Sequence, residues 1–143
     1  MPRYFDIGST ILIVVGYGIL PEEEDRPVAY DLKRAIAARG EGVEGRGAVV
    51  VSDMWMVNQE MAALFPAIAV GGPGVNAFSA QIYETLPVAF TRDERIFVQC
   101  AAEGGKRAAL WGMDQEATCE AVDIFVKGGF LERFLDAVWK RRA

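Results

Sequence analysis

The run Thr10 to Val15 is apolar at consecutive positions, rich in β-branched residues and closed by Gly16. A strand of that kind has no face to offer water, so it belongs in a sheet covered by helices on both sides. The pattern recurs. Ala48 to Val51 and Ala67 to Val70 read as two further buried strands, each followed by a helix signal. Strand and helix in alternation imply right-handed crossovers and a mostly parallel sheet, so the expected architecture is an α/β three-layer sandwich of the doubly wound, Rossmann-like type. Arg95 to Ala101 and Arg107 to Trp111, joined around Gly104 and Gly105, are spaced for an antiparallel hairpin, which would make the sheet mixed.

The helices carry their own punctuation. Pro27 suits the first turn of a helix presenting Val28, Leu32, Ala35 and Ile36, with Gly40 as its stop. The glycine-rich stretch from Gly40 to Gly47 is expected to be a mobile connection. Ser52 or Asp53 caps a helix in which Met54, Val57, Met61, Leu64 and Phe65 recur at helical spacing as far as Pro66, a stripe read as core packing. Val75, Phe78, Ile82 and Leu86 mark the buried face of the next helix, which Pro87 ends before the short apolar segment Val88 to Phe90. Asp114 caps a helix with Ala117, Ala121, Ile124 and Phe125, broken by Gly128 and Gly129, and a last amphipathic helix displays Phe130, Leu131, Phe134, Leu135, Val138 and Trp139. At 143 residues with 52% hydrophobic content, the chain is expected to form a single domain spanning residues 1–143.

Charge and residue absences narrow the chemistry. A formal net charge of -5 offers no field for nucleic acid or an anionic membrane, and the basic cluster Lys140, Arg141 and Arg142 reads as a solvated helix end. With no histidine, neither a Ser-His-Asp nor a Cys-His relay is available, and histidine drops out of every metal set. Cys100 and Cys119 read as reduced core thiols, consistent with a cytoplasmic protein. The run Ile11 to Leu20 follows Arg3 but is too short to span a bilayer, and Asp6 with the acidic stretch Glu22 to Asp25 argues against an export signal.

Ligands of open α/β sheets collect at the carboxyl edge of the strands. Residues 16–25, 52–58, 71–76 and 112–118 are expected at that edge, and they supply the candidate ligand-binding residues Gly16, Gly18, Asp53, Gly71, Gly72, Gly74, Asn76, Asp114 and Thr118. The glycines allow close approach of a small anion, or simply fit a tight strand-to-helix turn, and Asn76 offers a side-chain donor. Glu22, Glu23, Glu24 and Asp25 together with Asp53 are oxygen donors for Mg²⁺ if their loops converge, although a solvated charge run is the simpler reading. No catalytic residue, metal or cofactor is named by these patterns.

The apolar strand entering Gly71, Gly72, Pro73 and Asn76, followed after another strand by Gly112, Asp114, Ala117 and Thr118 and an alanine-containing helix, resembles an α/β domain of archaeal surface-layer proteins. More distantly it resembles bacterial cell-wall-binding repeats. The resemblance covers about the second half of the chain and implies turns that are structural or adhesive. Ile11 to Gly18 also resembles the opening of hydrogenase maturation peptidases, but Ile19 replaces their Asn and no histidine is present, so that activity does not carry over. The sequence thus points to a non-enzymatic binding or self-assembly module, with its C-terminal helix as an available self-association face. The alternative is an enzyme or sensor for a small anionic ligand or nucleotide at the residue 71–76 turn.

Overall fold

The computed structural model describes residues 6–18, 21–101 and 105–141, with the backbone alone for residues 21 and 22. Arg3, Ile19, Gly104, Arg142 and the side chain of Glu22 lie outside the described residues. Six strands form one sheet, β1 (Ile11–Val15), β2 (Ala48–Ser52), β3 (Ala67–Val70), β4 (Val88–Arg92), β5 (Ile96–Cys100) and β6 (Arg107–Gly112), in the order β2-β1-β3-β6-β5-β4. The first four in that order are mutually parallel, whereas β5 and β4 run antiparallel to their neighbours. The sheet is mixed and mostly parallel.

Consecutive apolar positions in β1 serve two cores. Ile11, Ile13 and Val15 face one side, under α1 (Arg26–Gly40), α4 (Gln115–Lys127) and α5 (Phe130–Trp139). Leu12 and Val14 face the other, with Met56 of α2 (Asp53–Asn58) and Phe78 of α3 (Ala77–Ile82). This is the three-layer sandwich expected from the strand pattern. α5 turns its apolar face inward: Leu131, Phe134, Leu135 and Trp139 are buried in the chain's own core, and the Trp139 indole N–H donates to Ser9 O at 2.7 Å.

Several local expectations change. The stretch after α1 is folded into turns, with the amides of Val43 and Arg46 donating to the carbonyls of Gly40 and Val43 and the Thr10 hydroxyl donating to Gly45 O. The helix expected from Met54 to Phe65 breaks at Gln59, whose backbone is extended, and resumes as a 3-10 turn over Glu60–Leu64. Met56 before the break and Ala62 after it are buried, while Met54, Met61 and Leu64, expected in the core, are exposed. β2, at the sheet edge, is only half-buried over most of its length, and Val88 to Phe90 belongs to β4, exposed on both faces at the opposite edge.

Candidate functional site

β2 leaves one flank of β1 and β3 the other, so the loops after β1 and β3 diverge at the carboxyl edge and open a crevice between them. Its volume is about 410 Å³, bounded by Glu24 and Asp25 before α1, Gly72 to Val75 after β3, and Trp111 to Gln115 with Thr118 at the junction of β6 and α4.

Four of the residues expected from sequence line this crevice, namely Gly72, Gly74, Asp114 and Thr118. The others surround it or serve the fold. Gly71 adopts φ +110, a backbone state that favours glycine, and its bare Cα receives the Asp25 carboxylate, which would lie 2.7 Å from any Cβ placed there. Gly16 is buried at the end of β1 and Gly18 is exposed, neither among the lining residues. Asn76 is buried and fully engaged: its amide donates to Val14 O at 2.9 Å and Val70 O at 3.0 Å, and its Oδ1 accepts from the amides of Phe78 and Ser79, both at 3.0 Å. With both amide protons taken, it stitches β1 to β3 and caps α3, with none left to donate to a ligand.

Asp53 is also buried. One carboxylate oxygen accepts from the Ala77 amide at 2.7 Å, while Oδ1 has no partner. Asp53 therefore belongs to the joint between α2 and α3, whereas Asp25 packs on Gly71. Among the described residues, no three acidic or thiol side chains gather as a metal set. Cys100 is buried and Cys119 half-buried, and burial pushes both thiols up, with Asp25, Asp31, Glu116 and Glu24 raising Cys119 further. Neither is activated as a nucleophile.

Asp25 is named from sequence only within the acidic run that offers oxygen donors for Mg²⁺, not among the ligand-binding residues. It is only 6% exposed, lines the crevice, and makes no side-chain capping bond at the start of α1, nor any other side-chain hydrogen bond or ion pair among the described residues. Burial, with Glu24 beside it, pushes its carboxyl up to about 6. Asp114 behaves in the opposite way: the Ala117 amide and the Arg95 guanidinium at 2.5 Å hold it below the usual carboxylate range. Two carboxyls on one rim are thus driven apart by their surroundings, one stabilised as a charge and one poised to take up a proton.

The wall opposite is aromatic and rigid. Trp111 pairs across strands with Phe97, the rings stacked at 4.3 Å, and its Nε1 donates at 2.7 Å to the buried Gln99, whose own amide donates to Tyr83 O and Leu86 O. Gly72 sits against this indole, where a Cβ would approach Cε3 to 3.1 Å. Val75 and Met113 add exposed apolar surface to the rim.

The buried Asp25 makes a stability prediction. A carboxyl that titrates near 6 when folded but near 3.8 when unfolded binds protons better in the folded chain, so stability falls as pH rises between those values. The full shift corresponds to an upper bound of about 3 kcal/mol, reduced to about 1–2 kcal/mol by solvent on the crevice side. Asp25→Asn is therefore expected to raise the melting temperature by roughly 3–6 °C at pH 7.5, a gain that shrinks towards pH 4. A variant that melts lower than the parent at pH 7.5 would contradict this account of Asp25.

No protein-family model and no curated protein matches the chain.

Proposed function

We propose that this chain is a small-molecule binding domain whose ligand occupies the crevice at the carboxyl edge of the sheet. The observation that carries the reading is Asp25, a residue 6% exposed that lines a crevice of ligand size and whose carboxyl has no hydrogen-bond or ion-pair partner among the described residues. An unpaired buried carboxylate costs free energy that a purely structural residue has no reason to retain, so removing it should stabilise the fold while abolishing the interaction it serves. Pockets for small ligands generally fall between about 300 and 1,000 Å³, with mostly apolar walls and a few placed polar groups, and this crevice meets that description at the small end.

The lining charges turn the expected ligand away from an anion. Glu24, Asp25 and Asp114 stand on the rim, and no Lys or Arg is among the described lining residues. A phosphate or carboxylate entering here would meet like charge in a partly desolvated site. A neutral or cationic molecule fits better. The engaged state of Asn76 and the close seat of Gly112 against α4 give both residues work in the fold, which leaves binding to the residues around those turns.

Gly74 supplies the test. It lines the crevice, and a Cβ placed on it meets nothing within 4 Å, so Gly74→Leu should fold normally while filling the opening. A thermal-shift screen of amines, amino acids, polyols, sugar phosphates and nucleotides is expected to give at least one specific rise in melting temperature, lost in Gly74→Leu. A screen silent across every class, or a rise that persists in Gly74→Leu, would remove the crevice as the binding site.

A further inference from the structure

Resting on the crevice reading above, we propose that the ligand carries a protonated amine, which docks on the Asp25 carboxylate while its apolar portion lies along Trp111, Val75 and Met113. Asp25 is nine-tenths buried, and one of its oxygens lies against the bare Cα of Gly71. The residue also lines the crevice, where a partner can reach it. A hydroxyl can satisfy the hydrogen bond, but only a cation also offsets the charge.

The neighbouring groups strengthen that demand. Glu24 on the same turn adds negative charge, and on α4 the Cys119 thiol is pushed up by its burial first and then by the charges of Asp25, Asp31, Glu116 and Glu24. Asp31 of α1 contributes to the same field at Cys119. Asp114 is held by Arg95 and Asp31 by Arg34. Arg26 directs its guanidinium towards the Tyr30 hydroxyl at 3.5 Å. The residue 71–75 turn brings no ionisable side chain. Among the described residues that line the crevice no cation stands beside Asp25, and the stacked Trp111 with the exposed Val75 and Met113 supplies apolar contact next to it.

The test holds the skeleton constant and changes the charge. Phenethylamine, 2-phenylethanol and phenylacetate are titrated into the full chain and followed by backbone amide chemical shifts of residues 72–75 and 111–115. The amine is expected to bind at least tenfold more tightly than the alcohol at pH 7.5, with phenylacetate weakest. Because the amine stays protonated across this range, its affinity should fall about tenfold per pH unit below about pH 6 as Asp25 takes up a proton. Asp25→Asn should erase the preference for amine over alcohol. Equal binding of amine and alcohol at these residues, or an amine preference that survives Asp25→Asn, overturns the ligand class while leaving the crevice as a binding site. If none of the three shifts residues 72–75 or 111–115, the amine proposal fails, and the broader screen with Gly74→Leu decides the crevice separately.

Discussion

Asn76→Ala is expected to destabilise the domain by about 3–5 kcal/mol, a fall in melting temperature of roughly 10–15 °C for a chain of this size. Four hydrogen bonds leave with one side chain. Loss of the acceptor uncaps α3 at the amides of Phe78 and Ser79, a change that alone typically costs about 1 kcal/mol. Loss of the donor removes the Asn76 amide from the carbonyls of Val14 and Val70 on two adjacent parallel strands, and a buried carbonyl left unpaired adds about 1–3 kcal/mol. Asn76→Asp sharpens the test. The carboxylate retains the cap but presents an acceptor to two carbonyls, so the loss should be at least as large as for alanine. Chemical denaturation of both variants checks the pair, and an Asn76→Ala protein melting within 3 °C of the parent would show that the clamp between β1 and β3 is dispensable. A corollary concerns the crevice: loss of binding in Asn76→Ala would report the scaffold rather than a ligand contact.

The layered architecture was legible because its signal is a physical necessity. A strand apolar at every position, such as Ile11 to Val15, has to be covered on both faces, and the structure divides those positions between two cores in strict alternation. The β4–β5 hairpin was not legible. Its turn places Asp93 and Glu94 at φ 54 and φ 53, and the Arg95 amide closes it on Arg92 O at 2.9 Å. Two left-handed central residues are the mark of a hairpin turn, but the usual signal is Asn-Gly or Asp-Gly, and glutamate gives none. The break at Gln59 was equally silent, because the apolar spacing from Met54 to Phe65 continues through it.

The candidate site was half legible for a different reason. Sequence located its loops, since glycines and caps mark where strands turn into helices, but it could not rank the residues within them. Asp25 is one of four consecutive acids, indistinguishable from Glu22, Glu23 and Glu24 until the fold sets it against Gly71 and strips its water. Glycine is ambiguous in the same way. Gly72 is pressed by Trp111 and Gly112 by α4, whereas Gly74 has open space, and only the fold separates a glycine that packing demands from one that leaves room for a guest.

Gly112→Ala is the second large effect, expected to cost at least about 3 kcal/mol by overpacking. Gly112 ends β6 beneath the first turn of α4, where its amide donates to the Thr118 hydroxyl at 3.1 Å. A methyl group there would overlap the Ala117 side chain, and it would also lie 2.5 Å from the Ala117 carbonyl carbon and 2.7 Å from the Thr118 amide nitrogen. The backbone contacts decide the outcome. A side chain can swing aside, but the first turn of a helix moves only by lifting from the sheet, and α4 carries the buried Ala117, Ala121, Val122 and Phe125 into the core. Removing the Ala117 methyl in a Gly112→Ala/Ala117→Gly double variant should therefore recover only a minor part of the loss, since the carbonyl carbon and amide stay where they are. Full recovery in the double variant, read from denaturation midpoints, would mean that the methyl contact alone set the spacing. Partial recovery, accompanied by altered shifts at residues 111–115, would tie the spacing between β6 and α4 to the shape of the crevice wall.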